Sequence, residues 1–125
     1  MKLIILLLVL FVFYLETNAD HTMVLSSRGL PATLWLKKVA VYRRAVVDKK
    51  TDKKSTHLFR ICNGKNKAKC GYWEDTKTKK KVDAGPTNYN KTLKALQVKN
   101  CQDRDAGTYW AANDKTTIRE IYFIS

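Results

Sequence analysis

The sequence predicts an all-β fold, a sandwich of antiparallel sheets, and three observations carry that expectation. Short apolar stretches recur at regular spacing with turn residues between them, the pattern of a sandwich or barrel. No segment keeps a helical period for more than a turn or two. From Leu96 an alternating strand runs into a polar turn, and Asp105-Ala106-Gly107-Thr108-Tyr109 then opens a second strand.

Lys2 precedes an unbroken apolar run of 13 residues, Leu3 to Leu15, followed by Glu16, Thr17, Asn18 and Ala19. A short basic start, an apolar segment and small residues at the cleavage positions describe a secretory signal peptide. Residues 1–19 are the expected leader and 20–125 the mature domain. A spanning helix needs about 20 apolar residues, so this run is too short for an anchor. No second long apolar run follows, so the mature chain is expected to be secreted, extracellular and without a transmembrane segment. Its 106 residues suit one domain.

The strands follow in order. Met23 to Ser27 is the first, closed by Arg28-Gly29. Ala32 to Leu36 places Ala32, Leu34 and Leu36 on one face and Thr33 and Trp35 on the other, side chains alternating along a strand. A slip of one residue would reverse this and turn Trp35 inward. Val39 to Val47 precedes the polar turn Asp48 to Ser55. His57 to Cys62 and Cys70 to Glu74 form a hairpin around the loop Asn63 to Lys69. Thr92 to Val98 carries Leu93, Ala95 and Val98, with Leu96 breaking simple alternation. Gly107 to Ala112 and Thr117 to Ile124 complete the set.

The stretch Leu96 to Tyr109 resembles the E strand, E–F turn and F strand of the immunoglobulin-like superfamily. In that family a tyrosine at this corner hydrogen-bonds back to upstream backbone. Leu96 and Val98 match the two inward places of strand E, and Asp105, Gly107 and Tyr109 match the turn motif. The resemblance implies an immunoglobulin-like antiparallel β-sandwich. Where most members carry the two cysteines of the inter-sheet disulfide, this chain has Ala111 and either Leu36 or Leu34, so the usual bridge is missing on both sides. Tyr42 would replace the buried Trp of strand C, although Val39 and Val41 compete for that inward face. Arg44 would then pair with Asp105 in a partly buried ion pair. A basic middle and a local cysteine pair are also similar to small secreted single-domain immunoglobulin-like proteins of nematodes.

Three cysteines leave at least one odd. A Cys62–Cys70 disulfide would pin the hairpin, and Cys101 is then either a small buried side chain or an intermolecular bridge. Trp73, just after that bridge, can pack on it. Asn90-Lys91-Thr92 is an N-glycosylation sequon at the mouth of strand E, with Asn90 the acceptor.

Catalysis finds no foothold. His21 and His57 belong to no metal-ligand spacing, and there is no phosphate-cradling glycine loop or nucleophile elbow. His57 and Cys62 point to opposite faces of a strand. The expectation is a non-enzymatic protein without cofactor or metal.

The formal charge of +13 is concentrated. From Lys37 to Lys81 there are 16 Lys and Arg against 4 Asp and Glu, whereas 20–36 carries one of each sign. Lys49, Lys50, Lys53 and Lys54 form one cluster, Lys65, Lys67 and Lys69 a second, and Lys77, Lys79, Lys80 and Lys81 a third. Such a field favours anionic partners, here a glycosaminoglycan, an anionic membrane or an acidic protein. The alternative is that lysines serve solubility and guard sheet edges. The clusters lack interleaved aromatics for base stacking, so nucleic acid is not an expected physiological partner. Alternation puts Trp110 on the outer face of its sheet, where it is either an anchor for a partner or lies flat over aliphatic stems. The leading expectation is extracellular recognition of a protein through that face. A basic polyanion-binding or defence protein is the alternative.

Overall fold

The computed structural model describes residues 20–124, so the expected leader at 1–19 lies outside the described residues. Nine strands form two sheets: β1 (Asp20–Ser26), β2 (Ala32–Leu34), β3 (Val41–Val47), β4 (Lys54–Arg60), β5 (Trp73–Asp75), β6 (Thr87–Asn90), β7 (Ala95–Val98), β8 (Gly107–Ala111) and β9 (Asp114–Phe123). Short 3-10 turns cover Lys67–Lys69 and Asp103–Asp105. The larger sheet runs β1-β9-β8-β3-β4-β5 and the smaller β2-β7-β6. Only β1 and β9 pair in parallel among these strands.

The two sheets meet in a sandwich-like arrangement over one core. Leu34, Leu96 and Val98 of the smaller sheet face Tyr42, Phe59, Trp73, Tyr109, Ala111 and Ile121 of the larger. Alternation decides which residues enter: Tyr42, Arg44 and Val46 are buried along β3, Tyr109 and Ala111 along β8. Leu36 is buried beyond the end of β2, and Trp35 points out, 57 % exposed. Trp73 packs against Phe59 and edge-on against Tyr109, with centroids 5.3 and 5.5 Å apart. Its Nε1 donates to Thr87 Oγ1 at 2.8 Å, so its one polar atom is satisfied inside the core.

The expected boundaries shift for local reasons. The first strand begins at Asp20 rather than Met23, because the polar residues 20–22 pair with β9. The third begins at Val41. Before it, the Tyr42 hydroxyl donates to the Lys37 carbonyl at 2.7 Å and accepts from the Val39 amide at 3.2 Å, which holds 37–39 away from the ladder. β5 begins at Trp73 after a positive-φ turn at Gly71, and β7 at Ala95 after Lys94, whose φ is 55°. That turn leaves Leu93 exposed and directs Leu96 and Val98 inward. β6 is a strand that the sequence did not predict.

Candidate functional site

A buried polar centre lies between β3, β4 and the turn before β8. Arg44 donates through Nη1 to Asp105 Oδ1 at 3.0 Å and to the Tyr109 hydroxyl at 2.9 Å, and through Nε to His57 Nδ1 at 3.0 Å. Its guanidinium also stacks 4.6 Å from the Trp73 ring centroid. The Tyr109 hydroxyl donates to the Asp105 carbonyl at 2.6 Å, and the Asp105 carboxylate accepts from the amides of Gly85 and Gln102. Arginine stays protonated in proteins, so His57 must accept at Nδ1 and carry its proton on Nε2. Burial first and the Arg44 charge second pull the His57 pKa down to about 4. Burial raises the Tyr109 hydroxyl well above its ordinary value. His57 is therefore neutral and Tyr109 keeps its proton at neutral pH, and the hydrogen bonds among these groups brace the corner.

The cysteines divide as structure and core. Cys62 and Cys70 are disulfide-bonded with Cα atoms 5.0 Å apart, closing the loop between β4 and β5. Trp73 lies three residues beyond Cys70, at the start of β5, and packs into the core. Cys101 is free and fully buried, 3.3 Å from the Val98 carbonyl, and burial lifts its thiol to about 11. No second chain can reach it without opening the corner.

All eleven lysines of the basic clusters are exposed. The Thr76 amide donates to the Thr56 carbonyl at 3.0 Å, which sets the Asp75–Lys80 turn beside the β3–β4 hairpin. Lys53 lies close enough to this turn for its charge to act on Asp75, whereas Lys81 bridges Glu74 on the far side of β5 with its ammonium 5.8 Å from the Tyr72 ring centroid. Asp75 anchors this turn: its carboxylate accepts from the Thr78 and Lys77 amides, which hold it below the usual carboxylate range. Lys65, Lys67 and Lys69 lie past the other end of β4, in the disulfide-closed loop.

The outer face of the larger sheet follows from the register. Trp110 sits there between Arg43 of β3 and Ile118 of β9. It is only half-buried, yet its Nε1 is covered and has no hydrogen-bond partner among the described residues. The next row along is small, Ala45 and Thr108, and the row after it brings Val47, Tyr122 and Leu25 to the same side. Val47, Tyr122, Leu25 and Met23 are all exposed. A depression of about 510 Å³ wraps over the end of these strands, lined on this face by Ala45, Val47, Thr108 and Tyr122 and on the other by Val46 and Ile121. The sequence singled out Trp110 alone on this face. Met23 and Leu25 are missed because they join Tyr122 only through the parallel β1–β9 pairing, a contact across about 100 residues.

Asn90 ends β6 with its side chain engaged. Its Nδ2 donates to Gln97 Oε1 at 3.1 Å, and its Oδ1 accepts from the Thr92 and Leu93 amides. Among the described residues no group of three His, Cys, Asp or Glu could hold a metal ion, and no helix is long and apolar enough to cross a membrane. Comparison with protein-family models, with curated proteins and with solved structures gives no match.

Proposed function

We infer that this chain is a secreted, non-enzymatic recognition protein on an immunoglobulin-like sandwich, binding an extracellular protein through the outer face of its six-stranded sheet. The strand orders and the Tyr109–Asp105 hydrogen bond support the fold reading. Leu34, Leu36 and Ala111 are buried where the family's inter-sheet disulfide would lie, so apolar packing takes its place.

The carrying observation is a set of exposed apolar side chains on one face: Val47 and Tyr122 line the depression, and Leu25 lies opposite Tyr122 across the β1–β9 register with Met23 next along β1. Isolated exposed apolar residues are ordinary, but a contiguous group rimmed by polar residues marks interaction sites. Lys49 and Lys54 on that rim suit an acidic partner. Crosslinking the secreted protein in its native fluid, followed by titration with the captured partner, tests this. Tyr122→Ala should weaken binding about tenfold or more, the scale of an interface hot spot. Trp110→Ala should weaken it less, because the indole is already partly covered. Indifference to both would end this reading.

One observation favours a second reading, polyanion binding: all eleven clustered lysines are exposed, and the Thr56–Thr76 contact brings the Asp75–Lys80 turn alongside β4 near Lys53. Clearly later elution from heparin than from a sulfonated exchanger of equal charge density would support it. Equal elution would reduce the charge to bulk electrostatics.

A further inference from the structure

The two edges of the six-stranded sheet are built differently. The β5 edge is three residues long and covered: Glu74 bridges Lys81, the Asp75 amide donates to the Lys80 carbonyl and the Val82 amide to the Trp73 carbonyl. The β1 edge spans seven residues without Lys, Arg or Pro. Its register with β9 runs unbroken through seven pairs, with no bulge to twist it away.

The direction of its free backbone groups can be derived. The Ile124 amide donates to the Ser26 carbonyl at 2.9 Å, so Ser26 turns its backbone toward β9. Backbone groups alternate sides along a strand, so Thr22 and Val24 also turn toward β9. His21, Met23 and Leu25 therefore aim their N–H and C=O groups at the free edge, where no described strand pairs with them. Their side chains lie on the outer face beside Tyr122, with Met23 53 % and Leu25 61 % exposed.

Charge selects the occupant. Residues 20–36 hold one basic and one acidic residue, and the excess lies on 37–81. Even the nearby ions are used internally: Asp20 pairs with Arg119 at 3.2 Å and His21 with Glu120 at 3.2 Å. Four strand spacings, about 19 Å, separate β1 from β4, well beyond a Debye length of about 8 Å at physiological salt. A second copy joined at β1 keeps the two lysine edges pointing apart. The β1 edge itself offers an acidic partner no net positive charge, unlike the Lys49 and Lys54 rim of the sheet face.

We propose that β1 is a self-pairing edge, joining two copies of this chain antiparallel about a two-fold axis at Met23. Met23 then opposes Met23, and His21 opposes Leu25. Three residues on each strand exchange about six backbone hydrogen bonds. The contact is smaller than a standard interface of about 800 Å² per partner, so the dimer is weak and concentration-dependent.

Sedimentation velocity on the secreted chain, from about 1 μM to about 1 mM, covers the range where such interfaces equilibrate. A reversible monomer–dimer equilibrium is expected. Met23→Lys sets like charges on the axis and should raise the dissociation constant about tenfold or more. Met23→Pro removes the outward N–H while sparing the β9 ladder, and should do the same. Met23→Cys keeps the test sound if the proline variant fails to fold. Paired Cα atoms about 5.5 Å apart are within disulfide reach, so mild oxidation should cross-link this variant and leave Lys77→Cys monomeric. A monomer at every concentration, a dimer indifferent to Met23→Lys, or equal cross-linking from positions 23 and 77 would overturn the proposal.

Discussion

Arg44 and Asp105 meet at 3.0 Å with neither side chain exposed to solvent. The pair ties the middle of β3 to the turn before β8, and each ion has further partners that fix its orientation. Asp105 accepts amide hydrogen bonds from Gly85 and Gln102, while Arg44 reaches His57, Tyr109 and the Trp73 ring. Two charges removed from water this completely do not guarantee net stability, but losing one of them strands the other.

Asp105→Ala should therefore cost about 3–5 kcal/mol, the scale of an uncompensated buried charge. Arg44→Met strands the Asp105 carboxylate in turn and should cost a similar amount. The double variant Arg44→Met/Asp105→Leu should be clearly less destabilised than the sum of its singles. Urea denaturation of the four proteins measures this, and additive losses would show that the ions act independently.

His57 makes the corner sensitive to acid. Its folded pKa is near 4, against an ordinary value of 6.5. Between these values the unfolded chain binds a proton that the folded chain refuses, so stability falls as pH drops from about 6.5 to about 4. The loss should total about 3 kcal/mol and level off below that window. Asp75, Asp103 and Asp114 have lowered pKa values, so their contributions disappear at still lower pH. His57→Asn supplies an acceptor near the Nδ1 position without titrating, and should flatten the profile between pH 6.5 and 4. An unchanged slope in that variant would assign the acid sensitivity elsewhere.

How far the sequence foretells the structure depends on the range of the interaction involved. Ala32, Leu34 and Leu36 announce their inward face by local alternation, and all three are buried. Arg44 and Asp105 were paired through a resemblance 61 residues apart in the chain, and they lie at contact distance. By contrast, β6 reads Thr-Asn-Tyr-Asn, with one aromatic and no aliphatic residue, and is a strand because β7 supplies its ladder. His57 carries no local sign of its neutral state, which arises from burial and Arg44. The exposed apolar group on the outer sheet face was illegible for the same reason, since Met23 and Leu25 meet Tyr122 only through β9.

Gly107 shows a second, sterically defined constraint. Its φ is 155°, and a Cβ at this position would meet the carbonyl oxygen of Ala45 on the neighbouring strand. That contact is with backbone, so no side-chain rotation relieves it. Gly107→Ala should destabilise the domain by about 2–4 kcal/mol, within the range for overpacking a tight site. Gly64 has a φ of 86° and open space where its Cβ would lie, so Gly64→Ala bears only backbone strain and should cost about 1–2 kcal/mol. Thermal melts of the two variants check the order, and equal losses would remove the strand contact as the cause.

Cys101 should be chemically silent in the folded protein. It is fully buried, its thiol is raised to about 11 mainly by burial, and reactivity requires the thiolate. At pH 8 only a small fraction would be ionised, and a reagent would still need access through the turn that Asp105 closes. Alkylation without reductant should therefore label no cysteine in buffer and one in denaturant, since Cys62 and Cys70 are bridged. Weakening the corner should open the site. In Asp105→Ala, labelling under native conditions should become measurable, at a rate that follows the stability lost in urea. Rapid native labelling of the unaltered chain would mean that the corner opens readily, and the Arg44–Asp105 pair could not be its brace.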